Sequence, residues 1–231
     1  MLPAWASLLC VLTWNIHGGR NHEKLIREMN TELRTCQVWS LQEAGQETDA
    51  WLGEVAEIQG RQQVQKHSNR ILSTLPIVDG GAVPLPPDGH RSAVFADIQV
   101  APDQLVRVYT FHLTYKHKGN PFVGSLRAQE IEGVLEHARS WNGPVVLAGD
   151  FNSLGYFLGG SSREPAIRSV LREGFEDAHG GRNRRTHTWA GHVDWIFSRF
   201  LELIRGDFGR KSGSDHIWLR AFFNFPQDGE P

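Results

Sequence analysis

Short apolar runs, each the length of one buried strand, recur along this chain and limit the folds that it can adopt. Residues 8–15 form a continuous apolar run that ends just before Gly18-Gly19, which is typical of a strand buried on both faces. Further runs of this kind lie at 38–41, 93–100, 105–113, 144–149, 193–197 and 217–223. The pattern predicts a protein built around β-sheets.

Apolar residues also repeat with helical spacing between several of these runs. The predicted helices are one through Leu25, Met29 and Leu33, one that Ser125 caps and that runs to about Ser140, and one that Pro165 begins and Gly174 ends. The stretches 80–81 and 84–87 are interpreted as loops. At 231 residues, with no internal repeat or linker, the chain is predicted to form a single mixed α/β domain over 1–231, with 1–7 peripheral and 226–231 a loose tail.

The charge of the chain is nearly balanced overall but uneven locally. With 24 Lys+Arg and 26 Asp+Glu the formal charge is −2, which gives no global attraction to nucleic acid or to an anionic membrane. A polyanionic substrate would therefore have to be held by local positive charge. The basic residues of interest are Arg107, Lys116, Lys118 and Arg127, in a stretch without carboxylates, and Arg182, Arg184 and Arg185. Both segments are candidates for phosphate contacts, with solvated loops as the alternative interpretation.

Two cysteines and the apolar N-terminal segment bear on the compartment in which the protein folds. Cys10 and Cys36 lie in apolar stretches, belong to no zinc-type cluster and are expected to be buried free thiols. The N-terminal segment lacks a basic region and merges into the first predicted strand, so its removal as a signal peptide would cut into that strand. No run is long and apolar enough to span a bilayer. We expect a cytoplasmic monomer without stable membrane insertion, with secretion as the alternative.

Polar residues that can carry chemistry stand at the ends of the predicted strands. They are Asn15, Glu43, His112, Asp150, Asn152, Asp194, Asp215 and His216. Taken singly, each has an ordinary structural explanation, since an Asp at a strand end often caps a helix or forms an Asx turn, and a lone histidine is often a core residue. So many placements in one chain are hard to attribute to chance. If the strand ends converge, these side chains lie together at one rim of the sheets.

These residue types suit the attack of water on a phosphate ester. Glu43, Asn15 and Asp215 offer hard oxygen ligands of the kind that Mg²⁺ prefers. A bound cation of this type neutralises charge on the phosphate oxygens.

The remaining polar residues suit the handling of water and protons. Asp150 is placed to orient or deprotonate the attacking water, and Asn152 to hold water or phosphate. Asp194 can orient the ring of His216, which would then accept hydrogen bonds or protons. His112, if protonated, would stabilise charge on the phosphate.

Other hydrolytic chemistries lack their sequence signatures. None of the 11 histidines belongs to an HExxH motif, and no Cys/His cluster has the ligand spacing of a zinc site. The chain has no GxSxG-like elbow for a serine nucleophile and no GxxxxGK[ST] nucleotide loop. The residues therefore favour metal-assisted phosphoester hydrolysis over zinc or serine catalysis.

Taken together, the motifs resemble those of the endonuclease/exonuclease/phosphatase superfamily. In chain order they are VLTWNIHGG (11–19), LQE (41–43), FHL (111–113), LAGDFNS (147–153), VDWIF (193–197) and SDH (214–216), with lesser matches at 69–77, Arg91 and 174–178. The resemblance extends over about residues 8–225. It implies an α/β (α+β) fold, a four-layer sandwich of two packed mixed β-sheets flanked by helices in one domain, with the site at one end of the sandwich.

The same resemblance implies dependence on Mg²⁺ or Mn²⁺ and a role for each matching residue. Asn15, Glu43 and Asp215 would lie at the metal, Asp150 and Asn152 would act on water or phosphate, Asp194 and His216 would form a buried pair, and His112 would contact the phosphate. Asn69 matches a family segment in which an Asn precedes a strand and a proline, and Arg91 stands where some members place a phosphate-contacting arginine. Lys116 and Lys118 follow closely after His112. We therefore take Asn69, Arg91, Lys116 and Lys118 as candidate substrate contacts.

The leading hypothesis for the substrate is a phosphodiester of DNA or RNA. Lys116 and Lys118 would then contact phosphates, and Trp189, Trp195 or Phe122 could stack on a base. The alternative within the same chemistry is a phospholipid such as sphingomyelin, or an inositol phosphate, with 155–160 as the candidate membrane-facing hairpin. A third hypothesis is a catalytically silent binding module on the same fold.

Overall fold

The computed structural model describes residues 8–116, 123–153, 164–182 and 184–225. The strands of this part of the chain are β1 (Leu9–Asn15), β2 (Val38–Gln42), β3 (Gln62–Lys66), β4 (Asn69–Ser73), β5 (Ile77–Leu85), β6 (Arg91–Ala101), β7 (Gln104–Thr110), β8 (Val145–Asp150), β9 (Glu176–Asp177), β10 (Asp194–Arg199), β11 (Glu202–Phe208) and β12 (Leu219–Asn224). The helices are α1 (His22–Asn30), α2 (Asp49–Ile58), α3 (Gly124–Arg139) and α4 (Pro165–Arg172).

The strands form two mixed sheets of six strands each. The first has the order β11-β12-β1-β2-β4-β3, and the second β5-β6-β7-β8-β10-β9. The pairs β1–β2 and β7–β8 are parallel, and the other pairs are antiparallel. These two sheets confirm the predicted sandwich of mixed sheets.

Three apolar clusters hold four layers together. Side chains such as Val11, Val94 and Val146 pack between the two sheets. A second cluster, which includes Ile131 of α3, fills the space between the second sheet and helices α3 and α4. A third, which includes Trp39 of β2, fills the space between the first sheet and helices α1 and α2. The helix–sheet–sheet–helix order follows from burying both faces of each sheet.

Local sequence predicts three of the four α-helices, since α2 was not predicted. Helix α1 ends at Asn30, before Leu33 of the predicted repeat, and α3 differs at its start. Pro165 occupies the first turn of α4, as predicted. Ser125 lies inside α3 and does not cap it, because the helix begins at Gly124 and Val123 is the residue at its N-terminal boundary. None of the helices in the described ranges is long and apolar enough to cross a membrane.

The stretches 80–81 and 84–87 were expected to be loops, but most of them lie in strand β5. This strand is the edge of the second sheet, where the missing N–H of Pro84 is tolerated. A Cβ atom at Gly80 would lie 2.8 Å from Val64 Cγ2 of the first sheet. Glycine is therefore needed here for the edges of the two sheets to approach each other.

The expectation of two free thiols is wrong, because Cys10 and Cys36 form a disulfide. Parallel pairing of β1 with β2 sets Val11 opposite Val38, which brings the two cysteines to a Cα–Cα distance of 4.9 Å. Apolar surroundings alone do not distinguish a buried thiol from a buried disulfide. Only the register of the two strands reveals the pairing.

Candidate active site

Strand ends from both sheets meet at one edge of the sandwich, and the predicted polar residues lie there. Asn15 is the last residue of β1 and Asp150 the last of β8, and their side chains are in direct contact. Glu43 follows β2, Asp194 begins β10, and His216 shortly precedes β12. Because β1 packs against both β8 and β10, residues far apart in sequence converge at this edge.

Three residues of the site hold a backbone conformation that L-amino acids rarely adopt. His17, Glu43 and Asn152 have φ angles of 52°, 52° and 49°, in the left-handed region that favours glycine. Among the described residues, only His67 and Phe200 are further non-glycine cases. Such a conformation costs about 1–3 kcal/mol and persists where its surroundings fix it, often at functional sites.

The side-chain amide of Asn15 joins carboxylates from the two sheets. Its Nδ2 donates to Glu43 Oε1 at 3.1 Å and to Asp150 Oδ2 at 3.0 Å, and its Oδ1 accepts the backbone N–H of His17 at 3.0 Å. The Ser214 hydroxyl donates to the backbone carbonyl of Asn15 at 2.7 Å, which fixes the SDH segment against β1. In this arrangement Asn15 positions the two carboxylates, and the second lone pair of its Oδ1 can still face a metal ion while the first accepts the His17 N–H.

Asp194 and His216 form a buried pair beside Asp150. His216 Nδ1 lies 2.8 Å from Asp194 Oδ2, and His216 Nε2 lies 3.9 Å from Asp150 Oδ2. Burial disfavours the charged ring, but the charge and hydrogen bond of Asp194 and the charges of Asp150 and Asp215 raise the pKa of His216 to about 9. These neighbours favour the protonated ring, which is a hydrogen-bond donor, whereas the sequence analysis considered His216 as an acceptor of hydrogen bonds or protons.

Asp150 is a buried carboxylate with an unusually high proton affinity. Burial, together with the charge of Asp194, raises the pKa of Asp150 to about 7. Its Oδ1 accepts the backbone N–H of Asn152 at 2.8 Å, and the Asn152 amide in turn donates to the backbone carbonyl of Leu113 at 2.8 Å. A fixed carboxyl group that titrates near neutrality is suited to accept a proton from water.

His112 lies just beyond β7, and its backbone continues the pairing of β7 with β8 up to Asp150. Its Nε2 is 3.5 Å from Asp150 Oδ2. Burial lowers the pKa of His112 to about 4, and the charge of Glu43 opposes this shift only in part. His112 is therefore neutral at neutral pH and can meet a phosphate as an N–H donor, not as the cation that the sequence analysis considered.

Buried charges hold the segment 112–116, and sequence analysis missed this clamp. Glu130 accepts the backbone N–H of Thr114 at 2.8 Å and its hydroxyl at 2.6 Å. Arg127 donates to the Thr114 carbonyl at 3.3 Å and to Glu164 Oε1 at 2.9 Å. Arg127, a candidate for phosphate contact in the sequence, is thus a buried structural residue.

Two histidines that sequence analysis did not select flank Asp215. His17 Nδ1 lies 3.1 Å from Asp215 Oδ1, and His187 Nε2 lies 3.4 Å from Asp215 Oδ2. Burial opposes ionisation of Asp215, but the positive charge near it, that of His216 foremost, lowers its pKa. His17 stands two residues after Asn15 within the first motif, which was a usable signal. Nothing in the local sequence marks His187, which reaches the site because its backbone pairs with that of His216.

The donor atoms at this edge suit a hard divalent cation. Glu43 and Asp215 are carboxylates that remain partly exposed at the rim. Within the described residues, Glu43 accepts a hydrogen bond only from Asn15, through Oε1. Carboxylate and amide oxygens are ligands that Mg²⁺ and similar ions prefer. The residues present therefore fit Mg²⁺ or Mn²⁺, with Glu43 and Asp215 as the primary donors.

The four candidate substrate contacts fall into different environments. Arg91 is exposed and donates from Nη1 to the backbone carbonyl of His112 at 2.9 Å, which places it at the rim of the site. Lys116 is exposed at the end of the segment that carries His112. Asn69 is buried, and its amide donates to the backbone of β6 at 2.8 Å. Lys118 lies outside the described residues.

The other basic and aromatic candidates also differ in whether they hold the fold or are exposed. Arg107 is buried and pairs with both carboxylate oxygens of Asp97 at 2.7 Å, and Arg182 donates to the backbone of β11 at 2.6 Å. Both side chains are thus engaged in holding the fold. Trp195 is buried and cannot stack on a base, whereas Trp189 is 82% exposed. Of these residues, Trp189 has the surroundings of a substrate contact.

Two buried histidines lie behind the site. The ring of His192 is stacked on Trp195 at a centroid distance of 4.0 Å, and neither of its nitrogens has a hydrogen-bond partner in the described part of the chain. His179 is equally buried, with Nδ1 unpartnered in the same sense. Burial lowers the pKa of His192 to about 4 and lowers that of His179 as well. Both rings are therefore neutral in the folded protein near neutral pH.

These histidines predict a loss of stability in mild acid. The unfolded chain takes up a proton on His192 near a pKa of about 6.5, and the folded chain takes it up only near 4. The free energy of unfolding should therefore fall as the pH drops below about 6.5, by about 2 kcal/mol between about pH 7.5 and pH 5 for this residue alone. Urea unfolding of wild-type protein and of His192→Gln measures the difference: the variant should lose less stability over this interval.

The matched control is His90→Gln, which removes an exposed histidine. This substitution should leave the acid sensitivity of the wild type unchanged. Equal acid sensitivity of His192→Gln and wild type would show that His192 is not the buried neutral group described above.

Comparison with known proteins shows the family to which the sequence is similar. The family model described as Endonuclease/Exonuclease/phosphatase family matches residues 12–216, which include the strand-end residues from Asn15 to His216. A search of curated proteins found no match.

Solved structures share the fold over nearly the whole chain. An endonuclease/exonuclease/phosphatase family protein from Bacteroides thetaiotaomicron superposes with a TM-score of 0.74 at 14% identity, covering 96% of this chain and 99% of that one. D. rerio TDP2 complexed with single strand DNA product gives 0.72 at 18% identity, over 94% and 99%. The mannosyl-6-phosphatase Bt3783 of Bacteroides thetaiotaomicron gives 0.70 at 16% identity, over 94% and 100%. With the family model covering most of its length, this chain belongs to the endonuclease/exonuclease/phosphatase family.

Proposed function

We propose that this protein is a divalent-metal-dependent phosphoesterase that cleaves phosphodiester bonds of nucleic acid by in-line attack of an activated water. The observation that carries the proposal is one connected set of side chains, Asp194–His216–Asp150–Asn15–Glu43. It combines three groups: the Asp150 carboxyl group, which titrates near neutrality, the protonated imidazole of His216, and the Glu43 carboxylate, which is partly exposed at the rim. General-base, electrostatic and metal assistance are the three aids that water needs to attack a phosphate diester.

Glu43 and Asp215, with Asn15 beside them, would hold the cation. When bound, Mg²⁺ or Mn²⁺ supplies positive charge at the phosphate oxygens. The chain's own role at this position is to keep the two carboxylates in place. The Asn15 amide fixes Glu43, and the charge of His216 favours the ionised form of Asp215.

The remaining residues handle the proton and the developing charge. Asp150 orients the attacking water and accepts its proton, since its pKa is about 7. His216, charged and oriented by Asp194, donates to a phosphate oxygen as negative charge grows there. His112 offers a neutral N–H beside Asp150, and Asn152 holds the chain that follows Asp150 against the segment of His112.

Nucleic acid is the proposed substrate because of the side chains at the rim. Arg91 and Lys116 offer exposed positive charge next to His112, and Trp189 offers an exposed aromatic face on the other side of the site near Asp215. Backbone phosphates are held by such cations, and bases stack on such rings. The structural relative TDP2 has been solved with a single strand DNA product.

The charge at the rim predicts a change in salt dependence. Lys116→Gln should weaken binding of single-stranded DNA and reduce the slope of log K against log[salt] by about 0.7, as expected for the loss of one phosphate contact. Binding is measured in an Asp150→Asn background, so that the DNA is not cleaved. Arg172→Gln, an exposed change at the C-terminal end of α4, should leave the slope unaltered. Equal slopes for Lys116→Gln and its parent would contradict the contact.

A substrate panel tests the proposed class directly. Plasmid DNA, single-stranded DNA, RNA, sphingomyelin vesicles, inositol phosphates and mannose 6-phosphate are each incubated with Mg²⁺, Mn²⁺ or EDTA. We expect EDTA-sensitive cleavage of nucleic acid. Turnover confined to lipid or to small phosphate esters would replace the substrate, and metal binding without any turnover would favour a silent binding module. The segment 155–160, which a membrane-active enzyme would use, lies outside the described residues, as does Phe122.

A further inference from the structure

Backbone N–H groups of the residues that follow His187 hold its ring in one tautomer. Its Nδ1 accepts two hydrogen bonds, from the backbone N–H of Trp189 at 3.0 Å and from that of Ala190 at 2.8 Å. A nitrogen that accepts from two N–H groups does not carry a proton itself. The neutral ring therefore carries its hydrogen on Nε2.

This Nε2–H group points into the active site. It lies 3.4 Å from Asp215 Oδ2, which is long for an N–H···O hydrogen bond. The ring packs at an angle on that of His216, with centroids 4.6 Å apart. Thr188 donates its backbone N–H and its hydroxyl, each at 3.0 Å, to the carbonyl of Asp215. These bonds fix the turn that carries His187 to the SDH segment. The Nε2–H group of His187 is therefore held in place beside Asp215, but it forms only a long contact with that carboxylate and can still donate to another acceptor.

The tautomer excludes His187 as a metal ligand. One nitrogen or carboxylate oxygen each from His187, Asp215 and His216 lie within 4.8 Å of one another, a spacing that would suit a bound ion. A metal ligand, however, needs a free lone pair on the coordinating nitrogen. Freeing Nε2 would put the proton on Nδ1, facing the N–H groups of Trp189 and Ala190. The geometry favours a donor over a ligand.

We propose that His187 binds an oxygen of the scissile phosphate through Nε2–H, as a neutral donor locked in one tautomer. The proposal rests on the proposed function, since it assigns the phosphate of that same site to this donor. The oxygen in question is the one that approaches Asp215. A neutral donor here adds a directed hydrogen bond to the phosphate without competing with Glu43 and Asp215 for the cation.

Two variants separate donation from packing and from metal ligation. His187→Phe keeps an aromatic ring against His216 but removes the donor, whereas His187→Gln keeps an N–H group at about the same reach. We expect His187→Phe to lower kcat/KM by about 10²-fold and His187→Gln to stay within about tenfold of wild type. The metal concentration for half-maximal activity should be the same for all three proteins. Wild-type kcat/KM in His187→Phe, or a raised metal requirement, would overturn the proposal.

Two measurements on the resting protein do not depend on finding the substrate. Two-bond ¹H–¹⁵N spectra should show His187 in the Nε2–H tautomer, and an Nδ1–H signal would overturn the proposal. Binding of inorganic phosphate in the presence of Mg²⁺ should be about tenfold weaker in His187→Phe than in wild type. Equal binding would overturn the role of His187 alone. Failure of the wild-type protein to bind phosphate would overturn the proposed function together with it.

Discussion

Replacing Asp150 by asparagine should lower kcat by about 10²- to 10⁴-fold, the range that general-base catalysis contributes. The asparagine keeps the size of the side chain and an acceptor for the backbone N–H of Asn152. It cannot take a proton from water. The loss should therefore fall on the chemical step, and single-turnover cleavage with enzyme in excess measures it. Binding of nucleic acid should change little.

The matched control for this prediction is Asp79→Asn. Asp79 lies exposed on the edge strand β5, where its carboxylate accepts only the N–H of Gly80 among the described residues. It should retain wild-type kcat. An Asp150→Asn variant within tenfold of wild type, with its fold intact by circular dichroism, would exclude Asp150 as the base.

The second large effect concerns stability and comes from the disulfide between Cys10 and Cys36. The bridge closes a loop between residues 26 positions apart, which in the chain-entropy model stabilises the folded state by about 3.5 kcal/mol. Reduction should lower Tm by roughly 7–14 °C for a chain of this size. The bridge lies at the end of β1 remote from Asn15, so kcat at 25 °C should not change.

Thermal melts with and without dithiothreitol measure this effect. The double variant Cys10→Ala/Cys36→Ala provides the control, because its Tm should be insensitive to the reductant. Equal Tm values of oxidised and reduced wild-type protein would show that the bridge does not stabilise the fold.

Local sequence predicted the elements whose pattern is independent of distant contacts. The run at 8–15 is a fully buried strand, and α3 buries the apolar face that includes Ile131 and Val134. Strand β5 escaped prediction because its glycines and proline are tolerated only at a sheet edge next to β3. The disulfide escaped for a related reason, since it depends on the register between β1 and β2.

For the candidate site, the sequence predicted which side chains meet, but not the environment of each. Eight polar residues at strand ends were selected, and the structure brings them to one edge. The protonated state of His216 and the neutral state of His112 follow from burial and from neighbours such as Asp194 and Glu43, which no local pattern records. His187 reaches the site only through pairing between 187 and 216, and was missed for that reason.

The basic residues also show that local sequence does not reveal the partners that a side chain meets in the fold. Arg107 and Arg127 stand in a stretch without carboxylates, which favoured phosphate binding. In the fold, Asp97 lies opposite Arg107 across the β6–β7 hairpin, and Glu164 reaches Arg127 from the segment before α4. Charge along the sequence is therefore a weak guide to charge that is free at the surface.

Hydrolysis of phosphodiester bonds at this edge of the sandwich, with a divalent cation and Asp150, can be tested by nicking of supercoiled plasmid. Metal-stripped protein is assayed before and after addition of Mg²⁺ or Mn²⁺, with Asp150→Asn in parallel. We expect no nicking after stripping, recovery in the wild type on adding either ion, and no recovery in the variant. Nicking that persists in EDTA, or equal recovery in Asp150→Asn, would contradict this expectation.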